Sequence, residues 1–148
     1  MNKESVFEQL KIDEGVKYKV YLDHLGYPTF GVGHLVTKDD PEHGCEVGTE
    51  VSEDRVWEAF EQDLETSIEE CYSLYGPGTF NNFPAEVQEV LVNMMFNMGR
   101  PRLSGFKKFN AALHDQDWKT AAVEGRDSRW YNQVTNRAER LMERLEAV

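Results

Sequence analysis

Two carboxylates and a hydroxyl flank a glycine-rich hairpin near the start of the chain. Glu14 follows a predicted helix, Asp23 ends a predicted strand, and Thr29 begins the strand that returns. Because Asp23 and Thr29 stand on either side of one turn, we expect both to face the same cleft. Two carboxylates across a cleft are typical of acid–base hydrolysis of a glycosidic bond, in which one donates a proton and the other orients a water.

The residue types alone do not decide between this chemistry and a solvated surface. The chain carries 27 Asp and Glu in 148 residues, so a pair of acids beside a hairpin is often simply exposed. Catalysis would require one carboxyl to keep its proton, which burial favours and a nearby cation opposes. Both interpretations stay open on the residues themselves.

The first third of the chain has the pattern of a helix followed by a hairpin. Asn2 can cap a helix that extends to about Lys11. The alternation in KYKVYLD predicts a strand over residues 17–23, with Tyr18, Val20 and Leu22 on its apolar face. TFGVGHLV predicts the returning strand, and a third short strand is expected within the loop at 37–51.

The rest of the chain is predicted to be helical. Ser52 caps a long amphipathic helix over residues 53–75, and GPGTFNNFP at 76–84 is a break. The next helix stops at Gly99, shorter helices follow, and a last helix begins with a Thr135 cap. The pattern indicates one α+β domain over residues 1–148. It divides into an α+β lobe at 13–52 and a helical lobe at 76–148 that includes helix 1, joined by the helix at 53–75.

Charge and composition exclude several classes of protein. The net charge is −11, with −14 on residues 1–96 and +3 on residues 97–148, so nucleic acid is not an expected partner. No apolar run is long enough for a signal peptide or a membrane-spanning helix, which predicts a cytoplasmic protein that does not insert into membranes. We expect Cys45 and Cys71 to be free thiols and the chain to be a monomer.

Four motifs resemble one family in the same order along the chain. IDEGVKYKVYLDHLGYPTFGVGH, residues 12–34, closely resembles the catalytic segment of T-even-type phage lysozymes, the muramidases of glycoside hydrolase family 24. FEQDL, VNMMFNMG and SRWYNQVTNRAERL resemble three later motifs. The resemblance covers nearly the whole chain, apart from gaps mainly at 37–51, and implies a lysozyme-like α+β fold.

The resemblance implies an activity. The chain would cut the β-1,4 bond between N-acetylmuramic acid and N-acetylglucosamine in peptidoglycan, with inversion, and so cause bacterial lysis. Glu14 would be the general acid, and Asp23 and Thr29 would position the attacking water. The family needs no cofactor or metal, and such an enzyme, made in the host cytoplasm, would reach the cell wall by a separate release route.

The resemblance also implies supporting residues. His34 would pair with Asp63 on the long helix, and Arg137 would pair with Glu14. Gly31 and Gly33 would let the sugar approach the hairpin backbone. Gly33 also belongs to the implied substrate-binding positions, which are Gly33, Leu35, Phe96 and Asn97.

Departures from the family pattern keep other functions open. Asn97 stands where a Gln is found, Glu124 where an Asn lines the substrate groove, and Val134–Thr135 where Thr–Pro is common, while the close relatives are basic. A non-catalytic wall-binding or structural phage module is one alternative. A hydrolase of a related polymer such as chitin is another.

Three other groups have two interpretations each. The acids of the 37–51 loop suggest a cation site or, as we expect, a solvated loop, since the ligand spacing of a calcium-binding loop is missing. Four basic residues form a wall-binding patch or ordinary helix surface: Lys107, Lys108, Arg126 and Arg129. Three aromatic residues are expected to pack in the helical core rather than to bind sugar: Trp118, Trp130 and Tyr131.

Overall fold

The first helix, α1 (Lys3–Glu14), extends past the predicted end at Lys11. Val6 and Leu10 are its buried residues. The helix ends where Gly15 adopts a φ of 77° and its N–H donates to the Lys11 carbonyl at 2.9 Å. The pattern predicted that Glu14 follows the helix, but Glu14 lies in the last turn of the helix.

Three antiparallel strands in the order β1-β2-β3 follow the first helix. They are β1 (Lys17–Leu22), β2 (Pro28–Gly31) and β3 (His34–Leu35). The prediction of one returning strand is wrong, because Gly31 and Gly33 adopt φ values of 64° and 67° that end β2 and turn the chain into β3.

The loop at 37–51 contains no strand, although its end runs along β1. The Val20 N–H donates to the Thr49 carbonyl at 2.8 Å, and the Val51 N–H donates to the Tyr18 carbonyl at 2.9 Å. The predicted apolar face of β1 is also wrong in part, since Val20 is 1% exposed but Tyr18 is 41% and Leu22 is 52% exposed. A register irregularity between Lys17 and Tyr21 interrupts the regular alternation of the strand.

The long helix α2 (Glu53–Tyr75) has the predicted bounds. The Ser52 hydroxyl accepts a hydrogen bond from the Arg55 N–H at 3.1 Å, which confirms the predicted cap. The buried stripe of the helix consists of Val56, Ala59, Phe60, Leu64, Ser67, Ile68, Cys71 and Tyr75.

Seven helices occupy the rest of the chain. They are α3 (Pro77–Asn82), α4 (Ala85–Met98), α5 (Arg100–Ser104), α6 (Lys107–His114), α7 (Trp118–Arg126), α8 (Arg129–Gln133) and α9 (Thr135–Glu146). The predicted break at 76–84 holds α3, which starts at a proline. Thr135 is not a cap, because Val134 takes that position and the Thr135 hydroxyl donates back to the Tyr131 carbonyl at 2.8 Å.

Apolar side chains from these helices form the core of the helical part. Leu91, Leu113 and Trp130 are at most 1% exposed. The prediction of core aromatic residues is confirmed for Trp130, while Trp118 and Tyr131 are only half-buried.

The structure is a computed structural model that describes all 148 residues. These residues divide into two compact units. One unit is Lys3–Glu65; the other is Thr66–Val148 with Met1–Asn2. This division groups α1 with the strands, whereas the sequence prediction grouped it with the helical lobe; the predicted lobe boundaries stay a prediction.

The predicted α+β class is confirmed by the small sheet in the first unit and the helices of the second. Both cysteines are free, as expected, with Cys45 exposed and Cys71 buried. Burial raises the pKa of the Cys71 thiol to about 12. None of the helices has the length and apolar character needed to cross a membrane.

Candidate active site

Glu14 lies against the turn between β2 and β3. Its side chain is half-buried, and a Cβ built on Gly33 would come within 3.5 Å of its Oε2 atom. Gly33 is also in the left-handed region, which other residues rarely adopt. A glycine at this position therefore leaves the Glu14 carboxylate accessible from the hairpin side.

Asp23 follows β1, and the turn that it starts holds its carboxylate. Its Oδ1 atom accepts hydrogen bonds from the N–H groups of Leu25 and Tyr27, each at 2.9 Å. The Asp23 N–H donates to the Tyr27 carbonyl, also at 2.9 Å. An Asp that accepts from N–H groups further along its own turn has a fixed side-chain orientation. Both side-chain bonds fall on Oδ1, so Oδ2 is the oxygen that remains for a substrate or water.

Thr29 is buried within β2 and is 2% exposed. Its hydroxyl donates to the Tyr27 carbonyl at 2.9 Å. The lone pairs on the hydroxyl oxygen therefore remain to accept a hydrogen bond from another partner. In the sheet, Thr29 stands opposite Tyr21 on β1 and opposite Leu35 on β3. Leu35, a predicted substrate-binding residue, is 51% exposed at this edge.

Tyr21 interacts electrostatically with both Glu14 and Asp23. Burial and the nearby charges of Glu14 and Asp23 raise the pKa of the Tyr21 hydroxyl. Both acids therefore act on one half-buried side chain, which places them around the same part of the hairpin. Tyr21 was not among the predicted site residues, although a spacing of two residues, as from Tyr21 to Asp23, indicates a shared face when the backbone is extended.

His34 is held between two carboxylates. Its Nδ1 atom lies 2.7 Å from the Asp63 carboxylate, which is the predicted pair, and its Nε2 atom lies 2.8 Å from the Asp40 carboxylate. Burial lowers the pKa of His34, but the hydrogen bonds to Asp63 and Asp40 outweigh burial and raise it. Because a carboxylate only accepts, both ring nitrogens donate when the imidazole is protonated.

The loop at 37–51 is mostly exposed, as predicted, but two of its acids, Asp40 and Glu42, are half-buried and bound by other side chains. Besides bonding His34, the Asp40 carboxylate accepts from the Thr37 N–H at 2.8 Å and from Arg55 at 3.0 Å. The pKa of Asp40 is lowered because these hydrogen bonds outweigh the effect of its burial. Arg55 also binds Glu42 through Nε and Nη2, each at 2.9 Å, and this hydrogen bonding lowers the pKa of Glu42.

Asp40 and Glu42 bind a histidine and an arginine. No group of three or more His, Cys, Asp or Glu side chains is arranged to hold a metal ion. Asp40 and Glu42 instead neutralise the cations that anchor the loop to α2 and to β3.

The phage lysozyme family profile matches residues 11–147, which includes every element of the site described above. The chain belongs to the phage lysozyme family. This membership makes it a lysozyme-type glycoside hydrolase.

Three relatives of this lysozyme share about 30% of its residues. "Probable T4-type lysozyme 2" of Dictyostelium discoideum is 30% identical, over 93% of this chain and 91% of the relative. "Probable T4-type lysozyme 1" of the same organism is 29% identical, over 96% and 94%. The "Pre-baseplate central spike protein Gp5" of Enterobacteria phage T4 is 32% identical over 93% of this chain, which spans only 27% of that protein.

The other predicted site residues of this lysozyme lie in the unit of residues 66–148. Arg137 is 7% exposed and donates from Nε to the Asn93 side-chain oxygen at 3.0 Å. Asn97 uses its side-chain oxygen to accept from the Trp130 indole at 2.8 Å. Asn97 therefore orients a core tryptophan, a role that its identification as a substrate-binding residue did not predict. Phe96 is half-buried on the same helix. The substrate-binding roles of Phe96 and Asn97, and the pairing of Arg137 with Glu14, stay predictions.

Proposed function

We propose that this lysozyme cuts the β-1,4 bond between N-acetylmuramic acid and N-acetylglucosamine in peptidoglycan, with inversion, and thereby lyses bacteria. The observation that carries the proposal is the joint placement of Glu14 and Asp23 around Tyr21 in a member of the phage lysozyme family. The two acids supply the proton donor and the water-orienting group that glycoside hydrolysis needs.

Glu14 acts as the general acid. Its proton passes to the glycosidic oxygen as the bond from that oxygen to the anomeric carbon breaks. The glycine at position 33 supports this role, because a Cβ there would lie 3.5 Å from Glu14 Oε2, and without it no side chain separates the carboxyl from an approaching sugar.

Asp23 and Thr29 position the attacking water. The water donates one proton to Asp23 Oδ2 and the other to the Thr29 oxygen, whose own proton is directed to the Tyr27 carbonyl. As the water oxygen bonds to the anomeric carbon, its proton passes to Asp23. Attack from the face opposite the leaving group inverts the configuration at that carbon, which requires the two carboxyl groups to be about 6.5–9.5 Å apart.

The main test is Glu14→Gln, with Glu8→Gln as the matched control on the same helix. The amide keeps the shape of Glu14 but has no acidic proton, so clearing of bacterial walls should fall by about 10²–10⁴-fold with thermal stability unchanged. Glu8→Gln should act as the parent does. Clearing by Glu14→Gln within threefold of the parent would remove Glu14 from the mechanism, and NMR of the first product shows whether the new anomer is inverted.

A structural module without turnover is the second candidate, favoured by the similarity to a central spike protein. A parent protein that binds walls but releases no reducing ends would support it. Assaying chitin oligomers beside bacterial walls tests the third candidate, a hydrolase of a related polymer.

A further inference from the structure

Tyr21 stands directly opposite Thr29 in the β1–β2 ladder. Opposite residues in an antiparallel pair point to the same face of the sheet, with their Cβ atoms about 4.5–5.5 Å apart. Val20, the neighbour of Tyr21, is 1% exposed and so occupies the other, core-facing side of β1. The half-buried Tyr21 side chain therefore begins beside the Thr29 hydroxyl.

A cation fixes the Tyr21 ring on this face. The Lys17 ammonium lies 4.4 Å from the ring centroid, in the position of a cation–π contact. The contact uses the face of the ring and leaves the hydroxyl at its rim to bond other groups.

Two of the groups assigned to the water, Thr29 and Asp23, do not donate a hydrogen bond to it. The Thr29 proton is directed to the Tyr27 carbonyl, and an ionised Asp23 can only accept. The proton of Glu14 is the one that passes to the glycosidic oxygen in the proposed reaction. The Tyr21 hydroxyl is a neutral donor: burial and the charges of Glu14 and Asp23 raise its pKa above the ordinary tyrosine value, so it stays protonated well above neutral pH.

We propose that Tyr21 is a positioning residue for the attacking water, which its hydroxyl holds by donating a hydrogen bond to the water oxygen. The water then donates its two protons to Asp23 and Thr29 and accepts from Tyr21, which leaves one lone pair directed at the anomeric carbon. The inference rests on the proposed glycosidase function and adds a third residue to the water site. Tyr21 takes no proton and forms no bond to the sugar.

The first experiment compares Tyr21→Phe with Tyr18→Phe on a soluble peptidoglycan oligosaccharide. Tyr21→Phe keeps the ring and its contact with Lys17, so kcat should fall about tenfold while KM and the melting temperature stay unchanged, because one positioning hydrogen bond is lost. Tyr18, which lies on the same strand and is 41% exposed, should tolerate the same change. Parent-like kcat in Tyr21→Phe, or an equal loss in Tyr18→Phe, would overturn the inference.

A second experiment separates a donor from a packing group. Replacing Tyr21 by 3,5-difluorotyrosine keeps the shape but yields a phenol that ionises at lower pH, so the alkaline limb of the kcat profile should move to lower pH. An unmoved limb would show that the hydroxyl proton has no role.

Failure of the inference and failure of the proposed function are distinguishable. An active parent with an inactive Glu14→Gln variant and an unimpaired Tyr21→Phe variant would reject Tyr21 alone. A parent without turnover would reject both. Absorbance titration gives a readout that needs no activity. Tyr75 and Tyr131 also have raised pKa values, so the difference between the parent and Tyr21→Phe isolates the Tyr21 titration, which should move to lower pH in Asp23→Asn. A titration that Asp23→Asn leaves unchanged would count against the placement of Tyr21.

Discussion

The unit of residues 3–65 and the unit of residues 66–148 are stabilised by different interactions. In the first, a connected set of ions joins β3, the 37–51 loop and α2: His34 binds Asp40 and Asp63, and Arg55 binds Asp40 and Glu42. In the second, apolar burial dominates. Its largest fully buried side chains are Trp130, Phe80, Phe109, Leu91, Met94, Leu103, Leu113 and Leu141.

The charge balance follows the same division. Residues 3–65 carry 6 Lys and Arg against 16 Asp and Glu, a net charge of −10, whereas the other unit carries 10 against 11, a net charge of −1. The ion pairs of the second unit lie near the surface, where Arg126 binds Glu139 and Glu146. The side chains of these pairs are 27–41% exposed, so solvent screening reduces their contribution to stability.

The difference shows how each unit meets its task. A site that moves protons needs polar groups with fixed orientations. In the unit of residues 3–65, the hairpin unit, hydrogen bonds from other polar groups fix those orientations. In the unit of residues 66–148, the helical unit, hydrogen bonds to Arg126 also lower the pKa values of Glu139 and Glu146, but these carboxylates lie at the surface. The stability of the helical unit should therefore depend less on pH than that of the hairpin unit.

The largest expected effect is loss of an apolar side chain from the helical unit. Leu113 is 0% exposed, so Leu113→Ala should lower the free energy of unfolding by about 2–5 kcal/mol through lost burial and an unfilled cavity. Urea unfolding at pH 5, 7 and 8.5 should give the same loss at each pH. Val123→Ala, at a position 60% exposed, is the control and should stay within about 0.5 kcal/mol of the parent. A Leu113→Ala loss that changes with pH would break the comparison.

Removing the cation of the hairpin unit should have the next largest effect. The Arg55 side chain is 14% exposed and neutralises Asp40 and Glu42, so Arg55→Met should cost about 1–3 kcal/mol by leaving those carboxylates underpaired. Adding Glu42→Gln should recover part of the loss, which a double-mutant cycle measures. Arg100→Met removes a pair in the helical unit whose arginine is 49% exposed, and it should cost less than about 1 kcal/mol. Equal losses at Arg55 and Arg100 would contradict the distinction.

Much of the helical structure could be predicted because its signals are local. The stripe of α2, the Ser52 cap and the stop at Gly99 each fix an element within a few residues. The pattern missed α3 because residues 76–84 were interpreted as a break, and it did not identify α5, which follows the stop at Gly99. These two helices contain Pro77 and Pro101. A proline suits the first turn of a helix, where its missing N–H has no intrahelical partner, and both helices use it there.

The site was less predictable where contacts join distant positions. Glu14, Asp23 and Thr29 stand in one motif, and their positions on the hairpin follow from it. Asp40 was interpreted as a solvated acid because its partner Arg55 is 15 residues away and on another element. Tyr21 was missed because an aromatic residue in a strand usually indicates packing, and only the fold shows two carboxylates around it.

The pH dependence of stability tests the comparison at a smaller scale. The folded pKa of His34 is raised, so its contribution is complete below the unfolded value of about 6.5 and is lost as pH rises through the folded pKa. The folded pKa values of Asp40 and Glu42 are lowered, so their contributions are complete above about 4.5 and are lost as pH falls through the folded values. The melting temperature should therefore peak between about pH 4.5 and 6.5.

Replacing the histidine isolates the alkaline side of this profile. His34→Gln should flatten the decline above about pH 6.5, because no imidazolium remains to lose its proton. His114→Gln in the helical unit should leave the decline in place. If the decline in melting temperature survives His34→Gln but disappears in His114→Gln, the pH dependence belongs to the helical unit and the comparison is wrong.

The smallest expected effect is that of salt on wall clearing, and it depends on whether net charge or a local basic patch governs encounter. Bacterial walls are anionic, so they should repel the unit of residues 3–65, whose net charge is −10. This repulsion should slow encounter at 0.01 M salt, where the Debye length is about 30 Å, and should slow it less at 0.1 M, where the Debye length is about 10 Å. The structure weakens the alternative of a basic patch: Arg126 is neutralised by Glu139 and Glu146, and Lys107 and Lys108 line a pocket that also holds Glu124 and Asp127.

Initial clearing rates should thus rise by about two- to threefold from 10 to 150 mM NaCl at pH 7, since screening removes a repulsion rather than an attraction. A neutral oligosaccharide substrate should show no such rise, which separates encounter with the wall from the chemical step. Lys107→Gln/Lys108→Gln should leave the rise in place if net charge governs. A steady fall on walls that this double variant abolishes would mean that two lysines attract the wall despite their acidic neighbours, and that the charge of a whole unit is a poor guide to the field at its surface.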